Sequence, residues 1–166
     1  MSTQTLTYLV IGVAVLGLLI YRQLVARPVR GNQRLVLVLL IIGLIEAVGY
    51  MQKLHTESAA IVALAGSLVL AAVFGAARAA TVRIWMQDGQ PWVKGNVVTA
   101  ALWVVAVGAH LGYDYLIGQH KDIGNLGDAT VLLYLAVSLA VQRVIVSYRA
   151  QRLDAGALSR VGPRPF

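Results

Sequence analysis

The feature that most constrains this sequence is a series of five long apolar runs separated by short polar connections. The runs are Leu6 to Ile20, Leu35 to Tyr50, Ala59 to Ala77, Val97 to Ile117 and Ala129 to about Tyr148. Most approach or exceed the ~18 residues with which a helix crosses a bilayer. Composition agrees, because 58% of the residues are hydrophobic and only 13% are charged. The sequence therefore predicts an all-α membrane protein, a five-helix transmembrane bundle within residues 1–150.

The distribution of Lys and Arg predicts how this bundle is oriented. Of the 14 basic residues, 12 fall in the first connection, the third connection and the C-terminal part of the chain. The second connection contributes only Lys53 and the fourth only Lys121. Basic residues accumulate in cytoplasmic loops, so we expect the N-terminus outside and the C-terminus in the cytoplasm. The same rule accounts for the net charge of +7 without a nucleic-acid partner. The expected location is a bacterial cytoplasmic membrane, with the lipid bilayer as the surrounding partner.

The third connection has the pattern of a short β-hairpin. The segment from Val82 to Gln87 contains β-branched residues, Asp88-Gly89 supplies a two-residue turn, and the segment from Gln90 to Lys94 returns. Pro91 cannot donate a ladder hydrogen bond, so we expect its strand to be an edge. Residues 151–166 are predicted to form a basic, disordered cytoplasmic tail.

The same central region carries a resemblance to a known family. The residues from Gly75 to Trp85, followed by Asp88-Gly89 and by Trp92-Val93-Lys94-Gly95, resemble the centre of CcdC-like proteins. These are small multi-span bacterial membrane proteins, associated by name with cytochrome c biogenesis. The resemblance covers roughly a fifth of the chain and implies an architecture, with no site residues to carry over. The sequence has no cysteine, which excludes thiol redox chemistry.

Ionisable residues inside the predicted spans are candidates for a functional site, because a charge in hydrocarbon is costly. Glu46 on the second span lies ~18 Å from the basic side, and His110 on the fourth lies at ~21 Å. Asp114 is one turn beyond His110 on the same face, as Tyr50 is beyond Glu46. We therefore expect Glu46, His110 and Asp114 to face a common interior space in the outer half of the bundle. No metal site is predicted, and no cofactor is indicated.

Two helix faces are predicted around this space. On the fourth span, one stripe is formed by Thr99, Trp103, Ala106, His110 and Asp114. Gly108 and Gly112 bracket the histidine and would allow another helix to approach closely. The small residues Ala63, Ser67, Ala71 and Gly75 on the third span would receive it. The candidate substrate-binding aromatic residues are Tyr50, Trp103, Tyr113 and Tyr134, with Tyr115 nearby.

Three functions are compatible with these residues. The first is a membrane accessory or assembly protein that holds partners through its basic cytoplasmic loops. The second is an intramembrane enzyme acting on a lipid or isoprenoid, with Glu46 as the acid and His110 with Asp114 as the base. Its aromatic residues would stabilise a carbocation. The third is a carrier with Glu46 as a proton-coupled gate, which with five spans would work as a homo-oligomer.

Overall fold

A computed structural model of the chain describes residues 3–29, 34–53, 57–118 and 126–160. Within these ranges the chain forms five helices and three short strands. In chain order they are α1 (Thr3–Leu24), β1 (Arg27–Pro28), α2 (Arg34–Met51), α3 (Glu57–Thr81), β2 (Arg83–Gln87), β3 (Gln90–Lys94), α4 (Val97–Gly118) and α5 (Leu126–Arg160). The helical bundle and the hairpin between its third and fourth helices are as predicted.

Three of the helices are long and apolar enough to cross a membrane. The qualifying segments are Ser58–Thr81 in α3, Val97–Ile117 in α4 and Ala129–Ala155 in α5. The segment Val36–Met51 in α2 is a shorter apolar helix. Large apolar side chains on these helices point outward, including Ile45, Val62 and Val144. Such a surface is stable against lipid rather than water.

Helix α5 is the centre of the bundle and packs along both α2 and α3. Two glycines set these contacts, because a side chain at Gly43 would overlap the backbone of Leu133 and one at Gly75 would overlap the Ser138 carbonyl. Without side chains at these points the helix backbones come close together. Helix α4 packs on α3 and on α1.

The small-residue face of α3 therefore receives α5, and the prediction that the α4 glycines approach it is wrong. Gly108 and Gly112 are exposed, and a side chain at either position would meet open space among the described residues. The buried face of α4 is instead the polar stripe, since each helix buries only one side. Gly75 explains why α5, rather than α4, packs closely on this face of α3.

The predicted disordered tail is also corrected in part. Helix α5 continues to Arg160, so residues 151–160 are helical. The apolar character of α5 ends earlier, and residues 151–155 are exposed. A polar helix end can extend from a buried helix because each added residue gains a backbone hydrogen bond. Residues 161–166 lie outside the described ranges.

The β-hairpin is confirmed. Strands β2 and β3 pair antiparallel around the turn, with Ile84 opposite Val93 and Trp85 opposite Trp92. Asp88 and Gly89 both have positive φ angles, of 52° and 69°. This is the geometry of the two-residue turns whose twist matches that of the strands.

The prediction that the Pro91 strand is an edge is wrong, because β1 adds a third strand in the order β1-β3-β2. Pro91 lies opposite Met86 in β2, one pair further from the turn than Gln87 and Gln90. At this position the backbone nitrogen of Pro91 faces away from β2. On the β1 side the Val29 N–H donates to the Pro91 carbonyl, at 2.9 Å. A two-residue strand thus pairs without needing the missing N–H of proline.

Polar contacts fasten the sheet to the helices at one end of the bundle. The Asn96 side chain accepts from the Thr99 N–H at 3.0 Å, capping α4, and donates to the Thr81 carbonyl at the end of α3. Arg149 on α5 donates to the Ala79 carbonyl, so a cation covers the C-terminus of α3. We call this end, where α1 and α3 finish and α4 begins, the basic end.

Candidate functional site

The α4 stripe predicted from the sequence faces the interior of the bundle. Thr99, Trp103, Ala106 and His110 are buried, and the Asp114 side chain is about three-quarters covered, at 24% exposure. The spacing of these residues at three and four positions explains why one face carries them all. The bundle therefore has a polar interior along α4.

His110, Asp114 and Tyr134 form one cluster within this interior. His110 Nε2 lies 3.3 Å from Asp114 Oδ2, and the His110 ring stacks on the Tyr134 ring with centroids 4.3 Å apart. The Tyr134 hydroxyl donates to the Ala106 carbonyl at 3.2 Å. A side chain at Gly127 would overlap the Asp114 carboxyl group. The carboxyl group thus lies against the first turn of α5, where a helix dipole favours negative charge.

Two of the remaining aromatic residues also face inward. Tyr113 donates to the Ala63 carbonyl at 2.8 Å, and its hydroxyl fills the space above Gly66. Tyr50 is half-buried and packs on the apolar cluster at the end opposite the basic end. Tyr115, in contrast, is 72% exposed. The hydroxyl groups of Tyr113 and Tyr134 thus join neighbouring helices.

Glu46 is exposed and does not share the interior with His110. Helix α2 meets α5 through Gly43 and the buried Ala47, and Glu46 lies beside this face rather than on it. The prediction of a common space for Glu46, His110 and Asp114 is therefore wrong for Glu46. Similar depth did not imply a shared face, because the direction of a side chain depends on how its helix rotates to pack.

Sequence reasoning treated Arg78 only as a loop charge, but the structure buries it completely. Its Nη2 donates to Ser138 Oγ at 2.5 Å, and its guanidinium lies 3.8 Å from the centre of the Trp103 ring. Arg78 Nε and Nη1 and Trp103 Nε1 are buried with no hydrogen-bond acceptor among the described residues. The signal was present, because Arg78 continues the small-residue stripe of α3 three positions after Gly75.

A second site missed by the sequence analysis is a pocket of about 290 Å³ at the basic end. Its walls come from α1, α2, α5 and the β1 and β3 strands, and we call it the arginine pocket. Three arginines line it, namely the exposed Arg22 and Arg27 and the half-buried Arg143. Among the described residues that line the pocket, none is acidic.

The three arginines are close enough to affect one another. Partial burial lowers the pKa of Arg27 below its usual value, and the positive charges of Arg22 and Arg143 lower it further. Like charges at this separation repel one another, and an anion placed among them would relieve that repulsion. The arrangement can therefore bind an anion. The sequence shows basic side chains in separate parts of the chain, but nothing in it indicates that three of them line one pocket.

The floor of the pocket is polar and uncharged. The buried side chains of Gln23 and Gln142 hydrogen-bond to each other, and both line the pocket. The Gln23 carbonyl also accepts from the Gly95 N–H at 2.7 Å, so α1 is joined to the start of α4. These contacts hold Arg22 and Arg143 on neighbouring walls.

Within the described ranges no group of three His, Cys, Asp or Glu side chains is placed to hold a metal ion. The chain was also compared with known proteins. Models of protein families, curated protein sequences and solved structures yield no match. The CcdC-like resemblance stays a prediction, and the function must be argued from the residues of this chain.

Proposed function

We propose that this protein is a multi-pass protein of a bacterial cytoplasmic membrane, with all five helices crossing the bilayer. Three span-length apolar helices and an outward-facing apolar surface support a membrane location. The bias of 12 basic residues to 2 supports the orientation, with the basic end in the cytoplasm.

Its proposed role is that of a non-catalytic accessory or assembly protein that binds an anionic ligand at the basic end. The observation that carries this proposal is the arginine pocket, where three arginines converge closely enough for the charges of Arg22 and Arg143 to act on Arg27. Arginine binds carboxylate and phosphate groups in bidentate fashion, and a partly enclosed pocket screens the interaction less than open water does.

The two alternatives both assigned the key proton to Glu46. The intramembrane enzyme needed Glu46 beside His110, and the proton-coupled carrier needed it on a path through the protein. An exposed Glu46 supports neither arrangement within one chain. The homo-oligomer stays a prediction, and a second copy that covered Glu46 would remove the cost of exposing its carboxyl group to lipid.

Thermal unfolding of the purified chain in a neutral detergent tests the anion site. Phosphate should raise the unfolding temperature more than sodium chloride does at equal ionic strength, because a ligand stabilises the state it binds. The double variant Arg22→Gln/Arg143→Gln should lose this difference.

The matched control is Arg83→Gln/Arg152→Gln, which removes two exposed positive charges outside the pocket. It should keep the phosphate effect. An equal response of the wild type and both double variants would show that phosphate acts on the overall charge, and the proposed site would be wrong.

A further inference from the structure

The arginine pocket is lined by apolar side chains as well as by arginines. On α1, Leu19 lies one turn before Arg22, and on α5, Leu139 lies one turn before Arg143. Both helices run toward the basic end at these positions. Each apolar residue therefore lies deeper in the bundle than the arginine it accompanies, and Val36 of α2 adds a third apolar surface.

The sheet lies on the other side of the arginines. Pro28 and Val29, which follow α1, and Val93 of β3 form the part of the pocket lining that comes from the sheet and its flank. The Val29 N–H is fastened to the β3 strand by its bond to Pro91.

Helices α1 and α2, which flank the arginine pocket, pack on different neighbours. Helix α1 makes its main helix contact with α4, whereas α2 makes its main contact with α5. The two helices on either side of the pocket are thus held by different neighbours. A ligand that entered between α1 and α2 would therefore not have to separate two helices that pack mainly on each other.

The size of the pocket limits what it can hold. Its volume of about 290 Å³ is at the lower end of ligand pockets, which begin near ~300 Å³. It has room for a small anionic headgroup and the first carbons of a chain, whereas a large sugar headgroup would exceed it. The rest of a long chain would lie between α1 and α2.

We infer that the ligand of the arginine pocket is a membrane lipid with a small phosphate headgroup, which enters laterally between α1 and α2. This inference rests on the proposed anion site. The phosphate lies among Arg22, Arg27 and Arg143, and the chain lies along Leu19, Val36 and Leu139. Basic pockets between membrane helices on the cytoplasmic side bind anionic headgroups in this way.

Lipid retention tests the inference. The full chain is extracted from vesicles that contain phosphatidic acid and phosphatidylcholine in equal amounts, and bound lipid is measured by native mass spectrometry. The wild type should retain phosphatidic acid in preference. Val36→Trp places a larger side chain in the apolar part of the pocket without removing an arginine. Retention of phosphatidic acid should then fall to the level of the Arg22→Gln/Arg143→Gln variant.

The matched control is Val38→Trp, since Val38 lies two residues away on α2 and is 52% exposed. It should retain phosphatidic acid as the wild type does. Unchanged retention in Val36→Trp, or equal retention of the two lipids by the wild type, would overturn the inference. So would preferential binding of a polyglutamate peptide, which would assign an acidic protein partner instead.

A second measurement needs no variant and remains decisive if Val36→Trp does not fold. Short-chain phosphatidic acid should stabilise the wild type at a lower concentration than glycerol phosphate does, since only the former has a chain. Equal potency would overturn the lipid inference while the phosphate effect of the proposed function stands. Loss of the phosphate effect itself would instead refute the proposed anion site.

Discussion

The Gln23 and Gln142 side chains donate to each other, with each Nε2 lying 3.0 Å from the other Oε1. They come from α1 and α5, 119 residues apart in the chain, and both are buried. A reciprocal amide pair satisfies a donor and an acceptor on each residue, which a buried glutamine requires. The pair therefore fixes the position of α1 on α5 at the arginine pocket.

Removing one member of this pair should cost more than removing both. Gln142→Leu leaves the buried Gln23 amide unsatisfied, and we expect a loss of about 1–3 kcal/mol in the free energy of unfolding. The double variant Gln23→Leu/Gln142→Leu should recover part of that loss. Unfolding in mixed micelles measures the cycle, and additive single effects would show that the two amides are not coupled.

The close approach of α3 and α5 should make Gly75 intolerant of any side chain. Gly75→Ala places a methyl group against the Ser138 carbonyl, and we expect destabilisation because backbone atoms must move. Gly108→Ala is the matched control, since a side chain there meets open space. It should be neutral, or stabilising by up to about 1 kcal/mol through helix propensity. Equal unfolding temperatures for the two variants would contradict this packing.

Arg78 should be needed for its planar shape as well as its charge. Arg78→Lys keeps the charge but loses the flat guanidinium over Trp103, and we expect a loss of about 1–2 kcal/mol. Arg83→Lys makes the same change at an exposed position and should have little effect. The comparison is made by unfolding in mixed micelles. If both lysine variants unfold like the wild type, the stacked geometry contributes nothing to stability.

The hairpin turn should distinguish residues by their tolerance of positive φ. Gly89→Val forces a β-branched residue to φ of 69° and should lower the unfolding temperature, with a cost of roughly 1–2 kcal/mol. Asp88→Asn keeps a residue that accepts this region and should be nearly neutral. A wild-type unfolding temperature for Gly89→Val would show that the turn adopts another geometry.

The orientation of the chain can be measured with fused reporters. A reporter that is active only in the cytoplasm should work after Phe166 and fail when inserted near Gly124, because 12 of the 14 basic residues fall in the connections and C-terminal part that we predict to be cytoplasmic. The reverse pattern would place the arginine pocket outside the cell.

Much of the architecture could be predicted because it depends on local patterns. The helices follow from apolar runs, and the hairpin follows from a turn pair between β-prone segments. Both patterns lie within one segment, so neither prediction needs the neighbouring elements. The inward stripe of α4 was also predictable, since one helix face carries His110, Asp114 and Trp103. The β1 strand was not, because two residues have no pattern of their own and become a strand only by pairing with β3.

The sequence by itself determined the periodicity of each helix, the apolar surface and the gathering of positive charge at one end. These properties follow from the order of residues along a single segment. Only the tertiary structure decided that Glu46 is exposed, that Arg78 is buried and that Arg22, Arg27 and Arg143 meet in one pocket. The rotation of each helix is set by where its neighbours can approach most closely, at Gly43 and Gly75 on either side of α5, and that is a property of pairs of segments.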